Sequence, residues 1–357
     1  MPSRICLYVR ELEPPYDEGF RNFMHSLLTE APARRKALRL GHGDPEVFDV
    51  DVGDSRFGIT RTLRNAIRGF RPEAVVYIPD GPVSAANLIR ARLLKWYAGN
   101  APTAVVCLQP PRSASFLLRA LRTIAPPDMV YAQSEAGRKA LAEIGFNAGI
   151  VRSGVDARRF RPADPDEKAR LREQFGIDPS AYVVLHVGHV KEGRNLRVLG
   201  DIASSVPNAS PLVVGSTSTT QEADLAAWLK GNGVRILDGY IERIEDLYRL
   251  ADLYLFPVVE NNHAVEMPLS VLEAMACNLP VVTTRFGALP ECFDEGDGLY
   301  YADTDAEMLE KIGIASKADP PNTRPKMDDY TWESVAERLF SEVDGLAESR
   351  HVSSARK

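Results

Sequence analysis

A single charge interrupts the apolar run LSVLEAMA at residues 269–276. There Leu269, Leu272 and Met275 fall three apart and Val271 and Ala276 widen the stripe, the pattern of a helix packed on a sheet. Glu273 is the exception, and a carboxylate so placed is either a solvated face residue or a group aimed at a ligand. Other residues invite chemical readings. Gly19 lies between an expected strand and an expected helix, where a glycine either lets backbone approach a ligand phosphate or completes a plain turn. Arg61, Arg64, Arg68 and Arg71 recur at helical spacing, as a solvated face or as a contact for an anionic acceptor or membrane. Asp-x-Asp triplets at 49–51, 164–166 and 303–305 suggest a metal, but they lie in acidic loops away from the Glu273 segment, and no metal is expected. Cys6, Cys107, Cys277 and Cys292 are far apart, match no metal spacing and read as free thiols in a reducing cytoplasm.

These residues need elements to position them. RICLYV at 4–9 reads as a strand, followed by a helix from near Arg21, while residues 34–55 are polar and resist assignment. AVVYI at 74–78 and AVVCL at 104–108 are strands, the second ending at Gln109. Basic amphipathic helices are expected over 84–97 and from Ser115, and with Trp96, Tyr97 and Phe116 they either cover a sheet or rest on a membrane interface. MVYAQ at 129–133 and a helix from Ser134 close this half. Residues 150–162, anchored by Val155 and Phe160, read as an inter-domain connection. A second strand–helix series then runs through VVLHV (183–187), LVVG (212–215), VRIL (234–237), LYLF (253–256) and VVTT (281–284). Pro268 suits the first turn of the Glu273 helix, which stops near Asn278 before Pro280. The alternation predicts two α/β units with mostly parallel sheets, binding ligands at the carboxyl ends of strands, in a cleft between the units. A last amphipathic helix carries Trp332, Val335, Leu339 and Val343. The expected domains are 1–150, 151–325, a crossing helix at 326–348 and a disordered tail at 349–357.

At 357 residues, 45% hydrophobic and 26% charged, the chain is an ordinary globular protein of two domains. It has no apolar run near the roughly 18–20 residues that span a bilayer, and its N-terminus lacks the apolar core of a signal peptide. Charge is uneven: residues 1–153 hold 21 Lys+Arg against 15 Asp+Glu, and the remainder 22 against 34. The basic first half suggests an anionic partner, a phospholipid surface or a lipid-linked acceptor. No nucleic-acid motif accompanies the charge, so nucleic acid is disfavoured.

Four segments occur in order: IVRSGVDARRFRP, VGHVKEGRNLRVL, GYIERIEDLYRLADLYLFP and MPLSVLEAMACNLPVVTTRFGALPE. Together they resemble the retaining nucleotide-sugar glycosyltransferases of family 4, most strongly over residues 150–302. The resemblance implies a GT-B fold, two Rossmann-like domains with the last helix crossing back to the first. It also implies a donor site built mainly by the second domain. Glu273 matches the family glutamate that holds the ribose hydroxyls, a role a carboxylate can fill without a metal by accepting from two vicinal hydroxyls. The helix start at Leu269 and Ser270 would offer N–H groups and a positive dipole end to the diphosphate. The family's phosphate-holding cation pair falls on His189 and Arg194, beside Gly188. Arg194 keeps its charge and can grip two oxygens, His189 is a pH-dependent substitute, and Lys191 is at hand to supply the missing cation. Base recognition would use backbone near Gly239, Tyr240 and Ile241, and Gly19 would approach the donor from the first domain.

Departures from the pattern fall at the sugar. The family has a glutamate eight residues before the ribose contact, where this chain has Val265, with Glu266 seven before. Either the loop shifts by one residue so that Glu266 serves, or the sugar contact is lost; His263 and Glu260 are other candidates in that loop. Gln109 stands where the family often has a first-domain histidine. The implied activity is retaining, metal-independent hexosyl transfer from a UDP- or GDP-sugar, with the leaving diphosphate taking the acceptor proton. No cofactor is expected. The acceptor would be a cell-envelope, glycolipid or natural-product molecule, met in the cytoplasm or at the inner face of the membrane. Alternatives are a degenerate nucleotide-sugar-binding protein and a GT-B epimerase.

Overall fold

The computed structural model describes residues 3–54, 60–109, 118, 120, 122–123, 126–215, 221–259 and 264–355. The chain forms two compact units. One contains residues 20–153 and resumes at Trp332; the other holds Asp17–Gly19 and Gly154–Thr331.

The first unit is a seven-stranded parallel sheet. In chain order its elements are β1 (Arg4–Leu12), α1 (Gly19–Arg34), β2 (Lys36–Gly43), β3 (Val50–Asp51), α2 (Arg61–Phe70), β4 (Ala74–Ile78), α3 (Ala85–Tyr97), β5 (Thr103–Val106), β6 (Met129–Ala132), α4 (Glu135–Ile144) and β7 (Ala148–Ile150). The spatial order is β3-β2-β1-β4-β5-β6-β7. β1 and β4 are nearly continuous apolar runs because both faces of a parallel sheet are covered. Helices start where a hydroxyl can satisfy a free N–H: Thr60, Ser84 and Ser134 accept from Leu63, Asn87 and Gly137. The stretch 34–55 that resisted assignment contains β2 and β3. β2 is a half-buried strand in which a Cβ at Gly41 would strike the Phe48 ring at 2.3 Å. The basic segment expected from Ser115, with Phe116, lies largely outside the described residues.

The second unit repeats the plan with α5 (Pro165–Gln174), β8 (Tyr182–Val187), α6 (Val198–Ser205), β9 (Ala209–Val214), α7 (Ala223–Gly231), β10 (Arg235–Leu237), α8 (Ile244–Leu250), β11 (Leu253–Phe256), α9 (Leu269–Ala276), β12 (Val281–Thr283), α10 (Leu289–Cys292), β13 (Leu299–Tyr301) and α11 (Asp305–Ala315). Its strand order is β10-β9-β8-β11-β12-β13, all parallel. Successive residues serve opposite faces. Val183, Leu185, Tyr254 and Phe256 join one buried cluster, Val184, Val213, Leu253 and Leu255 the other. The order in which strands are added reverses between β8 and β11, the switch point where such parallel sheets bind ligands.

The chain leaves this unit through a 3-10 segment, Arg324–Tyr330, and a bridge pairs Thr331 with Val155. The last helix, α12 (Trp332–Ala355), belongs to the first unit. Trp332 packs edge-on against Phe23, and Arg35 bonds Asp344 at 2.8 Å and Glu337 at 2.9 Å. α12 also runs through residues 349–355, expected above to be a disordered tail. That stretch contains no glycine or proline to end it.

Candidate functional site

The site is built at the carboxyl ends of β8 and β11. β8 ends at Val187, and Gly188 follows with φ +156°, where a Cβ would lie 2.6 Å from Nη1 of Arg194 and 3.2 Å from Nε2 of His186. Only glycine lets the guanidinium settle over this backbone. Arg194 ends a short 3-10 turn, Glu192–Arg194, and is 7% exposed; burial pushes its pKa down to about 10, so it is cationic at neutral pH. His189, half-buried, is pushed down to about 4 by burial and by the Arg194 and Lys191 cations, so it is neutral. Beneath the turn, His186 is fully buried with Nδ1 3.0 Å from the Leu255 carbonyl. The carbonyl only accepts, so the proton sits on Nδ1 and Nε2 is a bare lone pair, without a partner among the described residues.

α9 supplies the carboxylate. Pro268 stands at its N-cap with ψ 121° rather than inside the first turn. Glu273 is 8% exposed, and its Oε2 accepts from the Tyr248 hydroxyl at 2.7 Å. Burial raises its pKa, opposed by that hydrogen bond and by Arg159. Tyr254, at the centre of β11, ties the two halves together. Its hydroxyl donates to the Val187 carbonyl at 3.4 Å, is hydrogen-bonded to the Ser270 side chain, and feels the charges of both Glu273 and Arg194. A buried acceptor of hydroxyls, a helix start and a buried cation thus share one tyrosine as floor.

Of the other expected residues, some adjoin this cluster and others lie elsewhere. Leu269 and Ser270 open α9. Glu266 is buried, its carbonyl accepting from Ala288 N at 2.8 Å, and Gly287 must be glycine because a Cβ there would lie 2.0 Å from that oxygen. Gly19 opens α1, and its Cβ position would lie 3.4 Å from Val265. Gly239, with φ +98° and open space around it, and Tyr240, 56% exposed, follow β10; Ile241 packs on the core. Lys191 precedes Arg194 at the N-cap of the turn. Gln109 follows β5 in the first unit. His263 and Glu260 lie outside the described residues.

The Asp-x-Asp residues have structural occupations: Asp49 pairs with Arg39, Asp51 with His42, Asp164 caps α5, and Asp305 accepts from Asn195. Sequence reading missed Tyr248, Tyr254 and His186. Each sits in a periodic apolar run, where an aromatic reads as core; only the quoted GYIERIEDLYRLADLYLFP segment pointed at the tyrosines.

Residues 181–314 match the family model described as Glycosyl transferases group 1. The chain is 26% identical over 211 residues to a D-inositol 3-phosphate glycosyltransferase of Segniliparus rotundus, covering 54% of this chain and 45% of that protein. It is 25% identical to a GDP-mannose-dependent monoacylated alpha-(1-6)-phosphatidylinositol monomannoside mannosyltransferase of Corynebacterium glutamicum, covering 52% and 53%. To the sulfoquinovosyl transferase SQD2 of Arabidopsis thaliana it is 24% identical, covering 82% and 62%. The matched stretches thus span about half the length of the first two relatives. Among solved structures, Anabaena Alr3699/HepE in complex with UDP-glucose superposes with a TM-score of 0.67 at 18% identity, covering 99% of this chain and all of that one. WaaG, a glycosyltransferase involved in lipopolysaccharide biosynthesis, gives 0.65 at 16% identity, covering 96% and 100%. The chain has the GT-B fold, and its residues 181–314 are similar to the glycosyl transferases group 1 family.

Proposed function

We propose that this protein is a retaining glycosyltransferase that moves a hexosyl unit from a UDP- or GDP-sugar to an anionic or lipid-linked acceptor. The observation that carries the reading is the buried Glu273 carboxylate, held by Tyr248 on the helix whose first turn carries Ser270, with the Arg194 cation coupled to the same Tyr254. Glu273 accepts from the ribose hydroxyls, while Arg194 and the N–H groups of the α9 start hold the diphosphate.

In the transfer, the bond between the anomeric carbon and the diphosphate oxygen breaks and the acceptor oxygen bonds that carbon on the same face. The diphosphate oxygen takes the acceptor proton. Preorganised cation and N–H groups stabilise the charge that develops on the leaving group, so the reaction needs no metal. His189 contributes a neutral N–H, and Glu266 is the candidate sugar contact.

The first unit supports the acceptor reading. α2 and α3 contain no acidic residue, and Arg68 lies 5.6 Å over the ring of Trp96, which is 53% exposed. An exposed cation–aromatic face suits an anionic lipid surface. Inositol phosphate and phosphatidylinositol mannoside occur in the names of two relatives.

A nucleotide-binding protein without turnover is the second reading, favoured by Val265 at the family's sugar-contact position and by a neutral His189. Calorimetry with UDP-, GDP-, ADP- and TDP-sugars on wild type and Glu273→Ala tests both. The proposal expects one nucleotide class to bind, to bind at least about tenfold more weakly to the variant, and to be turned over in the presence of EDTA. Binding without hydrolysis or transfer would favour the second reading, and no binding would overturn both.

A further inference from the structure

A glutamate on a helix has three side-chain torsions, and a ribose contact requires its carboxylate to be in place before the nucleotide arrives. We propose that Tyr248 is the positioning residue of the donor site: its hydroxyl holds Oε2 of Glu273 so that Oε1 and the free lone pair of Oε2 receive the ribose hydroxyls. The inference rests on the ribose reading of Glu273 given above.

Tyr248 is itself fixed. It is fully buried, and its ring meets Phe160 edge-on at 5.6 Å and Tyr254 at 5.6 Å. The helix that carries it is pinned on its flanks. The Arg249 guanidinium bonds Asp246 at 3.1 Å and the Arg159 carbonyl at 2.6 Å, and Arg159 bonds Glu245 at 2.9 Å. A ring so held fixes the position of its hydroxyl oxygen, which lies 2.7 Å from Oε2 of Glu273 and donates to it.

The partner's chemistry also matters. A lysine or arginine there would neutralise the carboxylate and occupy its lone pairs in a salt bridge. A neutral O–H fixes the geometry, favours the ionised form, and leaves three of roughly four acceptor positions for a ligand. A tyrosine that served only to fill the core would need just a backbone carbonyl as partner.

Tyr248→Phe removes one oxygen and leaves the ring in place. The experiment is calorimetry of wild type, Tyr248→Phe, Glu273→Gln and the double variant with the nucleoside diphosphate that wild type binds, and with its 2′,3′-dideoxy form. Wild type should prefer the ribose form by about tenfold, the worth of a hydrogen bond to a charged group. Tyr248→Phe should lose most of that preference while binding the dideoxy form unchanged, which shows the rest of the site intact. In the Glu273→Gln background, Tyr248→Phe should cost nothing further.

A pH profile gives the second readout. Tyr248, Tyr254, Arg159, Glu245 and Cys277 are the groups that face Glu273. Without the phenol, the carboxylate protonates more readily, so ribose-form affinity should begin to fall at a higher pH than in wild type. A Tyr248→Phe variant with wild-type ribose preference and pH profile would overturn the inference alone. Wild-type preference in Glu273→Gln would overturn the ribose reading and this inference together, as would a wild-type protein that binds no nucleotide.

Discussion

Two side chains at the site carry charge states that set opposite expectations. Glu273 is buried and its pKa is raised, so ionising it costs the folded state. A raised carboxyl favours folding fully below its unfolded value near 4.5, and that contribution is lost as pH rises through the folded value. Glu273→Gln keeps an oxygen for Tyr248 and removes the charge. In thermal unfolding without ligand, its Tm should exceed that of wild type at pH 7, by about 2–4 °C for each kcal/mol relieved, and the advantage should vanish toward pH 4. The same variant should lose nucleotide affinity. His189 sets the other expectation, because neutrality deprives the proposed phosphate site of a cation that the family pattern would supply. His189→Lys should tighten nucleoside diphosphate binding about three- to tenfold at pH 7.5, on the scale of a charge-assisted contact, and leave nucleoside binding unchanged; equal effects on both ligands would place residue 189 away from the phosphates. At this scale Glu273 was legible because a lone charge in an apolar run is conspicuous. Tyr248 was not, because a tyrosine at helical spacing is what a core also uses.

The elements around the site depend on close backbone approach. Gly188 joins β8 to the turn that carries Arg194, and its missing Cβ is what the guanidinium packs on. Gly188→Ala would put a methyl 2.6 Å from Nη1 and force an alanine to φ +156°. The expected result is a loss of diphosphate affinity of about tenfold or more and a stability loss of about 1–2 kcal/mol. Nucleoside binding should be nearly retained, and calorimetry with nucleoside and nucleoside diphosphate separates the two. Most strands of both sheets were legible because parallel strands buried on two faces read as continuous apolar runs, β-branched in AVVYI and aliphatic and aromatic in LYLF. β2 was not: KALRLGHG is half-exposed, interrupted by glycines and mixed in polarity, and its pairing with β1 comes from tertiary contact. The end of α12 is helical as far as Ala355 where a disordered tail was expected, since nothing in that stretch breaks a helix.

At the scale of the whole molecule, the doubly wound plan was readable from the alternation of strands and helices. The return of α12 to the first unit was implied only by family resemblance, because an amphipathic stripe of Val335, Leu339 and Val343 names no partner. What fixes its place is specific: Trp332 on Phe23, and Arg34 and Arg35 facing Glu333, Glu337 and Asp344. That arrangement has a consequence for synthesis on the ribosome. The second unit is almost one uninterrupted stretch, Gly154–Thr331, whereas the first keeps part of its core on residues encoded after it. The usual order, in which the N-terminal domain matures first, should therefore be inverted. A nascent chain arrested with residue 331 just outside the exit tunnel should already protect the Gly154–Thr331 stretch from protease. The same chain should leave residues 20–153 open to cleavage, and only a longer arrest that releases α12 should close them.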